Sequence, residues 1–171
     1  MTKHPANTIE FTRYLMAANP DQWHQVARSW NWDNGTYRLR WIVEQPSADL
    51  ATALLIFWLS DPFHNLVELN PYREARTHDR VHIDPETLAL QVTILKRWLR
   101  DDFIRREIAF EGFPRIVAYQ NAKIAPIVPF EVLEAMAQPK KGKTVERGEF
   151  DEGIPYDIVE AFNKANGIIP I

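Results

Sequence analysis
Apolar residues recur at spacings of three and four along most of this chain, and Asn, Asp and Pro punctuate the runs where helices begin. Asn7 is placed to cap a first helix carrying Ile9, Phe11, Tyr14, Leu15 and Met16. Asn19-Pro20-Asp21-Gln22 opens a second, with Asn at the N-cap, Pro in the first turn and Gln three residues on, close to a capping box. Trp23, Val26, Ala27 and Trp30 then share one face. Asn34-Gly35 ends that helix or makes a tight turn, since Gly tolerates positive φ. Tyr37 to Gln45 reads as a third helix, closed by the residue before Pro46. Asp49 or Ser47 caps a fourth, Leu50 to Ser60, which is apolar around nearly its whole circumference and so belongs at the centre of a bundle. Asp61-Pro62 stops it.

Phe63 to Asn70 reads as a short helical continuation, and the polar stretch 71–83 as loop. Asp84-Pro85-Glu86 opens the longest helix, Pro85 to Phe110. Its stripe is Leu88, Val92, Leu95 and Leu99, continued by Ile104 and Ile108, and Gly112-Phe113-Pro114 terminates it. The texture changes over 114–129, where R-I-V-A-Y is β-branched and aromatic; this reads as irregular chain or a short strand. Pro129 starts a helix through Gln138. Residues 139–153 read as a flexible linker or loop, and Pro155 starts a last helix to Asn166, with Gly167 as cap. The apolar tail I-I-P-I is suited to dock back on the body. The predicted fold is therefore mostly α, a compact multi-helix bundle forming a single domain over residues 1–171.

At 171 residues the chain can bury roughly 70% of its unfolded surface without covalent staples. Hydrophobic content of 46% and charged content of 25% are those of a globular protein. A net charge of −3 gives no case for a nucleic-acid partner. Cysteine is absent, which excludes disulfides and thiolate chemistry. The first residues show no signal-peptide character, and the longest apolar run, Ala53 to Leu59, falls far short of the roughly 20 residues of a membrane span. A soluble, cytoplasmic protein without a membrane partner is expected.

Candidate chemistry is sparse. His78 and His82 stand four apart beside Asp79 and Asp84, a spacing that chelates zinc on a helix. The glutamate of an H-E-x-x-H motif is missing, however, and Asp84-Pro85 starts a helix only after them, so a polar loop is the stronger reading. There is no G-x-S-x-G and no phosphate-cradling Gly-rich loop. Asp101-Asp102 beside arginines reads as solvated ion pairing, His24 as a partly exposed helix flank, and His64 as a cap after Pro62. Five of the six tryptophans (Trp23, Trp30, Trp41, Trp58 and Trp98) fall at apolar helical positions and are expected in the core. Trp32 lies in a turn, either folded under the bundle, the favoured reading, or held out as an anchor. Asp33 and Asn34 are expected to cap helix ends. The segment 146–157, E-R-G-E-F-D-E-G-I-P-Y-D, is acidic with embedded aromatics: a solvated loop on one reading, a docking strip for a basic partner on the other.

The stretch W-N-W-D-N-G, followed by D-L-A-T-A-L-L-I-F-W-L-S-D, resembles a small family of bacterial domains of unknown function. That family shows an aromatic-Asn-aromatic-Asp-Asn/Asp-Gly turn and a D-L-G-T-A-L-x-x-F-W-x-A-D helix. Ala51 stands here for the usual Gly and Ser60 for the usual Ala, and the likeness covers Trp23 to His64. Members of such families often accompany secreted polymorphic toxins, as proposed immunity proteins. The resemblance thus implies a non-enzymatic binding protein, without cofactor, whose partner is a cognate secreted toxin. Surface candidates for that partner are Glu146, Glu149, Asp151, Glu152, Asp157, His78, Asp79 and Trp32. Two other readings stay open: a small metal-dependent hydrolase using His78, His82 and nearby acids, and an adaptor or chaperone of a toxin secretion system.

Overall fold
The computed structural model describes residues 4–63, 84–116 and 128–168. Among them are seven α-helices and one two-stranded hairpin, so the chain is mostly α. The segments expected at 63–70, 71–83 and 114–129 lie wholly or largely outside the described residues, as do His64, His78, Asp79, His82 and the final residues of the tail.

A short 3-10 turn, Pro5–Asn7, leads into α1 (Ile9–Ala17). The cap is Thr8, not Asn7: Asn7 is used up in the 3-10 turn, and the Thr8 hydroxyl accepts from Phe11 N at 3.2 Å. Helix α2 (Pro20–Ser29) has the predicted capping box, with Asn19 and Gln22 bonding each other's backbone N–H. Trp32–Asn34 forms a second 3-10 turn, started by the Asn31 side chain accepting from Asp33 N; neither Asp33 nor Asn34 is itself a cap. Helix α3 (Tyr37–Glu44) ends where Gln45, before Pro46, turns extended. Helix α4 (Leu50–Leu59) has eight of its ten residues buried. Helix α5 spans Pro85–Leu99, and the Asp84 carboxylate accepts from Glu86 and Thr87 N. Helix α2 packs on α4, α3 on α5, and α4 also on α5.

The helix expected to run on to Phe110 ends at Leu99, and it buries Leu90, Gln91, Ile94 and Leu95; of the predicted stripe within it only Leu95 is buried, Leu88 and Val92 being half-buried and Leu99 exposed. Asp101 takes a left-handed conformation (φ 57°), its N–H bonds Trp98 O, and Asp102 N bonds Arg97 O. This is a Schellman ending with Asp in the place usually held by Gly. Beyond it the chain is extended, Ile104 is exposed, and Ile108 is buried from an extended segment instead of a helix.

Residues 139–153 are not a free linker. Lys140 and Phe110 exchange two backbone hydrogen bonds (2.8 and 2.9 Å), Ala109 N bonds Lys143 O, Lys143 N bonds Glu107 O, and Val145 is buried. The extended backbone after α5 offers unpaired N–H and C=O groups, and this stretch satisfies them. It follows α6 (Phe130–Ala137) and leads into β1 (Phe150–Asp151), β2 (Ile154–Pro155) and α7 (Tyr156–Ala165).

The core is rich in aromatic contacts. Trp58 stacks on Phe113 with centroids 4.4 Å apart and donates Nε1–H to Met136 O. Trp23, Trp30 and Trp58 are buried, whereas Trp32, Trp41 and Trp98 are half-buried against the core edge.

Candidate functional site
The acidic strip 146–157 is a built surface. Strands β1 and β2 pair antiparallel, Phe150 opposite Pro155 and Asp151 opposite Ile154. The two residues between them, Glu152 and Gly153, both have positive φ (50° and 84°). That is the backbone of a two-residue hairpin turn whose twist matches its strands. Gly153 is required for a second reason: a Cβ there would lie 2.7 Å from the Trp30 ring and 3.0 Å from Val26 O. The turn therefore lies directly on the end of α2.

Further bonds fix the hairpin. Asn31 N donates to Glu152 O at 3.3 Å, and Tyr156 N donates to Glu149 O at 3.1 Å. Ile154 is buried beneath the strands, and Phe150 meets the Tyr14 ring edge-on. With the backbone anchored, Glu146, Glu149, Asp151, Glu152 and Asp157 are all exposed. Glu152 Oε2 lies 3.5 Å from His4 Nε2. The Tyr14 phenol is pushed up to about 12, by burial first and by the Asp157 charge second. Trp32 follows Asn31 directly, so one short segment carries both the half-buried indole and the bond to the hairpin turn. Arg147 departs from the acidic pattern; with Arg28 and Gln25 it lines a cleft of about 340 Å³ beside Phe150.

Two other polar groups were misjudged or unforeseen in the sequence. His24 is buried, not at the surface. Its Nδ1 lies 3.0 Å from Thr52 Oγ1, where α2 crosses α4. Burial, reinforced by Arg28 and opposed by Asp21, pushes its pKa down to about 4, so the ring is neutral at physiological pH. Of the two expected cap candidates, Ser47 and Asp49, it is Asp49 that caps α4, accepting from Ala51 N. Its second oxygen also accepts from Glu107 N (2.8 Å) and Ile108 N (3.2 Å), with Arg105 Nε 3.6 Å away. Both arrangements tie segments together inside the protein. Among the described residues, no group of three His, Asp or Glu side chains is arranged to hold a metal ion.

Residues 18–98 match a protein family described as a domain of unknown function, DUF4274. The match takes in just under half of the chain and contains the whole Trp23–His64 stretch. It runs from the start of α2 to the end of α5 and leaves the acidic hairpin outside. No curated protein and no solved structure matches the chain. No helix among the described residues is long and apolar enough to cross a membrane.

Proposed function
We propose that this chain is a cytoplasmic immunity protein that neutralises a cognate secreted toxin by docking its acidic hairpin over a basic active-site surface. The observation that carries the reading is the hairpin and its flanks, with Asp151 and Glu152 on the hairpin and Glu146, Glu149 and Asp157 beside it, all exposed, on a backbone anchored to Trp30 and Asn31. A rigid patch of one sign accelerates encounter with the opposite sign and loses little entropy on docking. The likeness of W-N-W-D-N-G and the apolar helix to domains found beside toxins supports the choice of partner. The test is co-expression with the C-terminal domain of a secreted protein encoded beside this chain, read as growth rescue and as association rate. Wild type should rescue growth. Reversal of three charges, Glu149→Lys, Asp151→Lys and Glu152→Lys, should cut the on-rate about tenfold or more at low salt. Failure of wild type to rescue would reject the immunity role. Full rescue and an unchanged on-rate in the triple variant would reject the hairpin as the docking surface.

A further inference from the structure
A second cleft lies where the chain returns after α5, between the extended segment and residues 139–141. It has a volume of about 410 Å³ and opens among Trp98, Arg106, Ile108, Lys140, Lys141 and the first residues of α4. In a chain of net charge −3, three cations line this one cleft. Lys140 Nζ lies 5.5 Å from the Trp98 ring centroid and donates to Ala135 O at 3.1 Å. Arg106 Nε donates to Phe103 O, and its Nη2 pairs with Asp101, a strongly exposed carboxylate. Among the described residues Lys141 has no ion-pair partner.

The backbones beneath these cations are held from within. Buried Asp49 grips the amides of Glu107 and Ile108, and Leu50 N bonds Arg105 O, which fixes the segment presenting Arg106. The paired bonds between Lys140 and Phe110 fix the other wall. The α4 amides of Leu50 and Ala51 are already bonded to Arg105 O and Asp49, so the attraction for an anion comes from the side chains. The Lys140 pKa is lowered by burial first and by the neighbouring Arg106 charge second.

We infer that this cleft binds a phosphate group, with Arg106, Lys140 and Lys141 around the oxygens and Trp98 as its wall. Arg and Lys together supply the charge-assisted donors that a phosphate takes, and the volume suits a ligand up to the size of a mononucleotide. The inference is independent of the hairpin and of the toxin reading.

The experiment is calorimetric titration of the full chain at low ionic strength with inorganic phosphate and, separately, AMP. Saturable one-to-one binding of either is expected. Arg106→Gln and Lys141→Gln should each weaken it about tenfold, the loss expected for a charge-assisted contact. Asp101→Asn removes the competing carboxylate and keeps a residue that tolerates the left-handed conformation, so it should tighten binding several-fold; a purely structural Arg106 would not respond this way. AMP binding more tightly than phosphate, with the gain lost in Trp98→Phe, assigns the site to a nucleotide. Equal affinities assign it to free phosphate. No saturable binding of either anion, or affinities untouched by Arg106→Gln and Lys141→Gln, would overturn the inference.

Discussion

Helix α4 and the β1–β2 hairpin are both held tightly, by opposite means. In α4 the side chains do the holding: Leu50 to Leu54 and Ile56 to Trp58 are buried, and little of the helix is left for anything outside to touch. In the hairpin the backbone does it, through a positive-φ turn pressed on Trp30 and the Asn31 and Tyr156 hydrogen bonds, and the acids point outward. The family match covers α4 and ends at residue 98, before the hairpin and before buried core residues such as Phe103, Ile108 and Leu133. Burial makes a scaffold that cannot change without loss. Backbone anchoring makes a surface whose side chains can change while its shape stays.

Four experiments bear on this contrast. The largest effect is expected in α4, where Phe57 is fully buried and meets Trp58 edge-on. Phe57→Ala should destabilise by about 4 kcal/mol in urea unfolding; a loss below about 1 kcal/mol would show that the centre of the bundle collapses readily around the gap. Next is the clasp between α4 and the extended segment. Asp49→Ala strands the amides of Glu107 and Ile108 and leaves Arg105 without its buried partner, at about 3 kcal/mol. Hydrogen exchange should then rise at 105–108 ahead of α4.

A third effect comes from His24. Its folded pKa, about 4, lies below the 6.5 of an unfolded histidine, so the unfolded chain binds the extra proton between these values. Stability is full above pH 6.5 and falls as pH drops toward 4. Between pH 7 and pH 5 the loss from this group is roughly 2 kcal/mol. Replacement by Phe should flatten that part of the pH profile, whatever it does to stability at pH 7. The smallest effects compare two glycines. Gly153→Ala forces a Cβ against Trp30 at φ 84° and should cost about 2 kcal/mol, while Gly167→Ala, at φ 66° in open space, should cost about 1 kcal/mol. Equal shifts in thermal midpoint would mean that the turn can lift off Trp30, and the hairpin would lose its claim to rigidity.

The capping box at Asn19, the caps Asp49 and Asp84, and the apolar circumference of α4 were legible in the sequence. Each depends on atoms within a few residues, where helix geometry alone decides who meets whom. The acidic character of 146–157 was legible too, because charge needs no fold to be counted. The end of α5 was missed because the ending uses Asp101 where Gly is the usual signal, leaving an apolar period that outran the helix. His24 flanks the apolar face of α2, and its burial depends on Thr52 arriving from another helix.

What only the tertiary structure decided has one physical basis. The union of 107–110 with 140–143, the second grip of Asp49 and the cleft under Trp98 all arise from groups far apart in the chain. An extended backbone carries donors and acceptors that must be satisfied, but nothing local names the segment that will satisfy them. The sequence alone determined most of the helices, the starts of α2, α4 and α5, and the sign of the acidic strip. The fold decided which buried charge and which strand-like segment would meet, because those pairings are settled by packing across the whole molecule.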